Sequence, residues 1–315
     1  LCVLQPEGEA VMTSVVTSPN KTSVMAALEP PPKRTTPTRA FFARVWRSKV
    51  SAASLIFLGI LIIVAVGAPW IAPYDPNLQN LTNAFAAPFS DGHILGTDQL
   101  GRDILSRLIW ATQISLMAPV IAVSVASVIG IPFGLLAGYL GGRFDWIAGR
   151  IADAFIALPS LILALAIIAI FGPGLVNAML AVGIAMAPAL FRVVRGSTLA
   201  VREETYIDAS KIVGGSTWRI MFSHILPNVR SPLLVMLSIM LSLCLLAEAG
   251  LSFLGLGVQP PTASWGSMLR IAFDNRFQGP LMIIPPGIAI TMTILALNML
   301  GDGIRDAIGA QKGRS

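Results

Sequence analysis

Few side chains of this 315-residue chain are of the types that carry acid–base, nucleophilic or metal chemistry. The two cysteines, Cys2 and Cys244, lie far apart in the sequence and offer neither a disulfide framework nor a metal cluster. The two histidines, His93 and His224, stand in separate polar segments, and the patterns H-E-x-x-H, G-x-S-x-G and G-x-x-x-x-G-K-[S/T] do not occur. The sequence therefore predicts a protein that is not an enzyme and that binds no metal or cofactor of its own.

The composition is typical of a membrane protein. Hydrophobic residues make up 55% of the chain and charged residues only 12%, where a soluble domain carries roughly a quarter. A helix needs about 20 apolar residues to cross the hydrocarbon layer. We predict an all-α membrane protein with six transmembrane helices: Val50–Ile71, Ile114–Leu140, Ile147–Phe171, Leu175–Phe191, Leu233–Leu254 and Leu281–Leu300. The fourth is short, and we expect its helix to continue past Phe191.

The basic residues indicate the orientation of these helices. Of the 22 Lys and Arg residues, a cytoplasmic N-terminus leaves only four outside, which are Arg102, Arg107, Arg270 and Arg276. Because cytoplasmic loops are enriched in Lys and Arg, this split predicts that both termini are cytoplasmic. The net charge of +6 is then explained by membrane topology, and no nucleic-acid partner is needed.

The same topology divides the chain into segments. Residues 1–49 contain EPPPKRTTPTR and little apolar periodicity, which predicts a disordered cytoplasmic tail. Residues 50–315 form the transmembrane domain, with the lipid bilayer as their surroundings. Within it, residues 72–113 and 252–280 are outer segments, and residues 192–230 form a long cytoplasmic loop.

The cytoplasmic loop has the pattern of a helical hairpin. An apolar stripe predicts a helix from Thr198 to Val213, which Gly214-Gly215 breaks. Ser216 can cap a second helix, Thr217–Leu226, which is expected to end because Pro227 cannot continue the hydrogen-bond ladder. Three uses remain open from the physics alone: packing on its own bundle, lying on lipid headgroups, or binding a soluble partner.

The spacing within this hairpin resembles the EAA loop of ABC importer permeases. The match comprises Asp208-Ala209-Ser210, then Gly214 and Gly215, and later Leu226-Pro227. Asp replaces the family's Glu, Ser replaces its second Ala, and His224 stands where the family has Ile. The resemblance implies that this loop docks into a separate ATPase subunit and couples its movement to the membrane helices.

Further motifs resemble the C-type permease subunit of dipeptide, oligopeptide and nickel importers. They are HILGTDQLGRDILSRLIWATQISL from His93, AEAGLSFLGLG from Ala247, PPTASWGSML from Pro260 and GDGIRDAIG from Gly301. The resemblance implies the type I ABC importer permease architecture in the bacterial plasma membrane. It also implies three kinds of partner: a B-type permease subunit, two ATPase subunits that hold the ATP and Mg, and an extracytoplasmic peptide-binding protein. Dipeptides, longer peptides, haem and nickel chelates all remain open as cargo.

The first outer segment contains an amphipathic pattern. Leu100, Ile104 and Leu108 recur at four-residue spacing, Asp103 and Arg107 can pair, and Asp98 can cap the start. Two interpretations are open: a helix lying on the outer membrane surface, or a gate beside the site of cargo delivery. The candidate gate residues are Asp98, Arg102, Asp103 and Arg107.

Ionisable residues inside spans are functional candidates because charge is costly in hydrocarbon. Asp153 lies three residues from Arg150, which predicts a local ion pair. Glu248 lies near the outer end of the fifth span, where it either hydrogen-bonds within the bundle or lines the pathway. The run GLLAGYLGG offers small residues for close helix contact, and Pro132, Pro159 and Pro188 permit kinks.

The rival function from another class is a secondary transporter driven by an ion gradient. Such a protein places ionisable groups near the bilayer midplane and repeats its fold in two halves. No internal repeat is visible in this sequence, and Asp153 and Glu248 both lie toward span ends. The sequence therefore favours an ATP-driven permease.

Overall fold

The computed structural model describes residue 46, residues 48–90 and residues 92–312, and side chains up to residue 307. The predicted tail at residues 1–49 therefore lies almost wholly outside the described residues. The described chain is built from helices without strands. These are α1 (Lys49–Ile71), α2 (Ile104–Leu140), α3 (Gly142–Ile156), α4 (Ser160–Phe171), α5 (Leu175–Arg202), α6 (Thr205–Ile212), α7 (Thr217–Ile220), α8 (Leu226–Phe253), α9 (Trp265–Asp274) and α10 (Ile284–Lys312). This confirms the all-α fold class.

Five stretches of the described chain are long and apolar enough to cross a membrane: α1, α2, α5, Thr217–Phe253 and Pro280–Ala307. The third predicted span, Ile147–Phe171, is not one straight helix. It is divided into α3 and α4, which are bent by 89° relative to each other. The break comes at Pro159, because proline lacks the amide hydrogen of the helical ladder and disfavours helical geometry in the residue before it.

Helix α2 is longer than the sequence indicated. It begins at Ile104 instead of Ile114 and runs for 37 residues, so the amphipathic pattern of the first outer segment forms its first turns. The prediction of a separate helix on the membrane surface is therefore wrong. Asp103, and not Asp98, caps this helix by accepting the amide hydrogen of Ser106 at 2.7 Å.

The predicted hairpin helices also differ in their bounds. Helix α5 runs past Phe191 to Arg202, as expected, but it takes up Thr198, so the first hairpin helix, predicted as Thr198–Val213, is only α6. Pro227 does not end the helix that Ser216 caps. A π turn at Met221–Ile225 joins α7 to α8, and the amide of Leu226 donates to the carbonyl of Met221. The proline then falls in the first turn of α8, where its missing amide hydrogen costs little.

Helices α2 and α5 run parallel and share the most extensive contact between any two described helices. Gly130, Gly134 and Gly138 lie four residues apart on the face of α2 that meets α5. A Cβ atom built on Gly134 would stand 2.8 Å from the Cβ of Val194, and one built on Gly138 would stand 2.6 Å from that of Thr198. This contact confirms the prediction that the glycine run serves close helix packing.

The remaining helices attach to this pair. The Gln113 side chain of α2 donates to the Ala65 carbonyl of α1 at 2.6 Å. Helix α8 packs on α2, α5 and α10, and Ser242 donates to the Asn298 side chain at 2.7 Å. In consequence the start of α1, the end of α2, the residues after α5 and the end of α10 share one face of the bundle. We call it the hairpin face, and its counterpart the opposite face.

We expect Gly134→Leu to lower the free energy of unfolding by about 1–3 kcal/mol, because the added side chain has no space between α2 and α5. Gly59→Leu is the matched control, since nothing lies within 4 Å of a Cβ built there on α1. Thermal unfolding of both variants in detergent measures the difference. Equal midpoints for the two variants would contradict the close contact.

Candidate functional site

The hairpin between α5 and α8, residues 203–228, is the first candidate site. Its buried side is formed by Ile207 of α6, Ile220 of α7, and Met221 and Ile225 of the π turn, all at most 1% exposed. These side chains belong to the same apolar core as Val229 of α8. The hairpin is therefore packed onto the bundle as one body with the helices that flank it.

The turn of the hairpin depends on its two glycines. Gly214 has φ +83°, in the left-handed region that glycine adopts without strain, and its amide donates to the Lys211 carbonyl at 3.0 Å. The Gly215 amide donates to the Ser210 carbonyl at 2.9 Å, and a Cβ there would stand 2.8 Å from that oxygen. This confirms the predicted break and explains both residues sterically.

The end of the hairpin presents large apolar side chains to the outside. Ile212 and Val213 are 86% and 88% exposed, and Trp218 is stacked on Phe222 with their ring centroids 5.7 Å apart. We call these four residues the apolar tip. The sequence pattern placed Ile212 and Val213 in the apolar stripe and left open what the stripe contacts, whereas in the structure Ile207 takes the buried position. Sequence reasoning missed the tip because periodicity shows that a helix has an apolar face without showing what covers it.

The other predicted docking residues are mostly at the surface. Asp208, Ala209 and Gly214 are exposed, and Asp208 accepts from the Lys211 ammonium group at 2.9 Å. Ser210, Gly215 and Leu226 are half-buried, whereas Pro227 is exposed. Because exposed ion pairs contribute little stability, Asp208 is available to a partner.

His224 is half-buried at the base of the hairpin. Its ring meets that of Tyr206 edge-on with the centroids 6.5 Å apart, and the Asn228 amide donates to the Tyr206 hydroxyl at 3.0 Å. Burial, followed by the nearby charge of Glu204, raises the pKa of Tyr206 above its usual range. The hydroxyl therefore stays protonated and remains part of this contact.

Two ion pairs fix α3 to α5 at the hairpin face. The Asp145 carboxylate receives a two-pronged contact from the Arg195 guanidinium, one bond of which is 2.6 Å long. Arg192 donates to Asp153 at 2.6 Å. The predicted pair between Asp153 and Arg150 is wrong, because Asp153 faces α5. The Arg150 guanidinium instead lies 5.8 Å from the centroid of the Trp146 ring.

On the opposite face, a buried charge cluster holds the first outer segment against α2. Asp98 receives the Arg102 guanidinium at 2.7 Å and the backbone amides of Leu100 and Arg102, and the Nε of Arg107 lies 3.7 Å away. Arg107 also donates to the Pro76 carbonyl at 3.0 Å. The Asp98 carboxylate thus balances the charges of Arg102 and Arg107, which are both nearly inaccessible to solvent.

Asp103 has partners of its own. Its carboxylate contacts the His93 ring at 2.9 Å and accepts from the Ser106 hydroxyl and amide, each at 2.7 Å. The predicted pair of Asp103 with Arg107 is therefore wrong, and Arg107 turns toward Asp98. Asp98, Arg102 and Arg107 thus form one buried cluster, and Asp103 forms a separate set of contacts with His93 and Ser106. Whether they act as a gate stays a prediction.

Glu248 lies fully buried in α8, close to the second outer segment. Its carboxylate accepts from the Ser252 hydroxyl at 2.7 Å, and that hydroxyl in turn receives the Val258 amide at 3.3 Å. The backbone amide of Trp265 in α9 donates to the Ser115 hydroxyl of α2 at 3.0 Å, and this hydrogen bond fixes the same outer segment to α2. Glu248 therefore belongs to the network that positions this outer segment.

Among the described residues, no group of three or more His, Cys, Asp or Glu side chains is arranged to hold a metal ion. The candidate sites are thus surfaces and buried contacts.

Comparison with known proteins gives two family matches. Residues 130–312 match the family described as the binding-protein-dependent transport system inner membrane component. Residues 36–88 match the N-terminal transmembrane domain of oligopeptide transport permease C.

Curated relatives cover most of the chain. The glutathione transport system permease protein GsiD of Pectobacterium atrosepticum is 43% identical over 274 residues, covering 87% of this chain and 91% of that protein. The di/tripeptide transport system permease protein DppC of Pseudomonas aeruginosa is 40% identical over 277 residues, covering 86% and 91%.

A solved structure shares the fold. An inward-facing crystal form of the MetNI methionine ABC transporter matches with a TM-score of 0.54 at 20% identity, over 65% of this chain and 97% of that one. A second form matches with a TM-score of 0.52 at 19% identity, over 65% and 96%. At this level of identity the likeness concerns the fold alone.

We expect Asp98→Asn to lower the free energy of unfolding by about 3–5 kcal/mol, because Arg102 and Arg107 would be left buried without a carboxylate. Asp274→Asn is the control. Its pair with Arg270 spans 3.8 Å and is well exposed, so its loss costs about 0–1 kcal/mol. Thermal unfolding in detergent compares the two, and equal stability would show that the buried cluster does not hold the outer segment.

Proposed function

The chain belongs to the family of binding-protein-dependent transport system inner membrane components, among the C-type permeases of peptide ABC importers, and we propose that it forms half of a translocation pathway for short peptides. It is a multi-pass permease of the bacterial inner membrane. Membership of this family overturns the alternative of a secondary transporter driven by an ion gradient.

The cargo is the first part of the proposal. Two relatives at 40% identity or more carry the names of glutathione and di/tripeptide permeases. Both of these cargoes are short peptides, which supports a di- or oligopeptide as the cargo of this chain over a nickel chelate or haem. The cargo would be delivered by an extracytoplasmic peptide-binding protein, and a B-type permease subunit would form the other half of the pathway.

The hairpin is the second part. We assign it to the cytoplasmic side, because the Lys and Arg distribution favours that orientation. There its apolar tip would dock into one of two ATPase subunits. The observation that carries this assignment is the exposure of Ile212 and Val213, because a free surface seldom presents large apolar side chains beside one another. ATP and Mg would be held entirely by the ATPase subunits.

The construction of the hairpin suits the transmission of force. Its buried side shares one core with α5 and α8, so a displacement of the tip moves both helices together. Small shifts of packed helices are a common way of switching between alternative conformations. Closure of the ATPase subunits on ATP would thereby change which face of the bundle is open.

The opposite face, which would then lie outside the membrane, would receive the peptide-binding protein. Both outer segments are held by buried contacts, the first through Asp98 and Asp103 and the second through Glu248 and Trp265. This supports a rigid receiving surface. A gating role would require Asp98, Arg102, Asp103 and Arg107 to separate during transport.

We expect Val213→Asp to reduce co-purification of the ATPase subunits by about tenfold or more, since an unpaired charge would be buried at the contact. Gly214→Pro should have the same effect, because proline cannot adopt φ +83°. The measurement is the yield of ATPase subunits with the tagged permease in detergent, together with peptide uptake in proteoliposomes.

Thr205→Asp is the matched control. It places the same charge on an exposed position of α6 at the other end from the tip, where an acid suits the helix N-terminus. Retention of ATPase subunits and uptake by Val213→Asp and Gly214→Pro would disprove docking at the tip. Uptake by this chain alone without ATP would disprove the ABC mechanism.

A further inference from the structure

A cavity of mixed polar and apolar lining opens on the opposite face, where the two outer segments meet α2. It has a volume of about 410 Å³. Its lining comes from three parts of the chain: Asp75 and Pro76 of the first outer segment, Trp110 and Gln113 of α2, and Thr262 of the second outer segment. The volume lies in the range of small-molecule sites, which is about 300–1,000 Å³.

Hydrogen bonds hold the parts of the chain that surround this cavity. The Pro76 carbonyl accepts from the Arg107 guanidinium at 3.0 Å, which fixes the first outer segment to α2. The bond from the Trp265 amide to the Ser115 hydroxyl fixes the second outer segment to the same helix. The cavity is therefore formed before a ligand arrives, and a ligand would not have to order its walls.

Asp75 gives the cavity its charge. It is exposed, and it is the only ionisable side chain among the described residues of the lining. Its carboxylate accepts from the Asn77 amide at 2.7 Å and has no cationic partner in the described chain. Arg107 does not neutralise it, because that guanidinium turns toward Asp98. The cavity thus carries one uncompensated negative charge, which favours a cation.

Trp110 suits the same kind of ligand. The face of an indole ring attracts ammonium groups, and Trp110 shares the cavity with the Asp75 carboxylate. The Trp110 indole N–H and the Thr262 hydroxyl have no hydrogen-bond partner in the part of the chain that the structure describes. They are available to the carbonyl and amide groups that follow an amino terminus in a peptide.

We propose that this cavity binds the amino-terminal ammonium group of a short peptide. The Asp75 carboxylate supplies the opposite charge, and the Trp110 ring supplies the cation–π contact. A ligand with a single positive charge matches the single negative charge of the lining. The hydroxyl of Thr262 then hydrogen-bonds the first peptide group.

This inference rests on the proposed function for the cargo and for the orientation. A cytoplasmic hairpin places the opposite face outside, where the peptide-binding protein would release its peptide. The cavity would hold the amino terminus of that peptide before translocation. Recognition of the amino terminus by the permease is a separate property from docking of the ATPase subunits, since the cavity and the apolar tip lie on different faces.

The test uses the transporter assembled with its other permease and its ATPase subunits in lipid nanodiscs, without nucleotide and without the peptide-binding protein. Saturation-transfer NMR titrations measure the Kd of trialanine and of N-acetyl-trialanine, which lacks the ammonium group. We expect trialanine to bind about tenfold more tightly, from one exposed ion pair and one cation–π contact. Asp75→Asn and Trp110→Leu should each reduce this preference to about threefold or less.

Matched variants separate the cavity from the rest of the opposite face. Asp274→Asn removes an exposed carboxylate at the end of α9, and Trp70→Leu removes a tryptophan that is 82% exposed. Neither residue lines the cavity, so both variants should keep the preference. Thr262→Phe keeps Asp75 and Trp110 but fills the cavity, and should weaken the binding of both peptides.

Three results would overturn the proposal. They are equal Kd values of the two peptides for the unaltered transporter, no measurable binding of trialanine, and an unchanged preference in Asp75→Asn. The proposal is also wrong if Asp75→Asn weakens docking of the peptide-binding protein and leaves the binding of trialanine unchanged, because the cavity would then take a side chain of that protein.

Uptake distinguishes failure of this inference from failure of the proposed function. ATP-driven uptake of trialanine is measured in proteoliposomes with the peptide-binding protein present. Uptake together with equal Kd values would contradict only the amino-terminal site. Absence of ATP-driven uptake of any short peptide would contradict the proposed function itself.

Discussion

The contact between α2 and α5 is the constraint on which the other elements depend. Inside a bilayer, helices gain nothing from leaving water and must associate through close packing. Glycines at positions 130, 134 and 138 remove the side chains that would keep the two axes apart, so the backbone of one helix reaches the other. Every functional surface then takes its position from this pair: α3 is fixed to α5 by ion pairs, and the hairpin continues directly from the end of α5.

Buried and exposed ionic groups are held differently. The buried groups around Asp98 are matched by opposite charge and by backbone amides. On the hairpin face, Arg192 and Arg195 form more exposed ion pairs with Asp153 and Asp145. Buried pairs must be complete because an isolated charge in a medium of low dielectric constant is costly. The opposite face therefore has rigid outer segments, while the hairpin face presents the exposed apolar tip.

The sequence predicted those features that depend on local chemistry. The spans follow from apolar length, the hairpin turn from Gly214, the cap from Ser216, and the close helix contact from the run around Gly134. The sequence-based predictions were wrong where a side chain has several possible partners and only the packing of the helices decides among them. Asp153 is close to Arg150 in the sequence but binds Arg192 on α5. Asp98 binds two arginines and does not cap α2.

The failures at proline show a further limit. Pro132 and Pro188 lie inside continuous helices, Pro159 is the N-cap of α4 after the break from α3, and Pro227 falls in the first turn of α8 after a π turn. Pro188 and Pro159 differ in what packs around them. Pro188 lies in the half of α5 that is packed along α2, whereas Pro159 follows Leu158, which is exposed and lacks such support. Close packing therefore accompanies a continuous helix at Pro188, and its absence accompanies the break between α3 and α4 at Pro159.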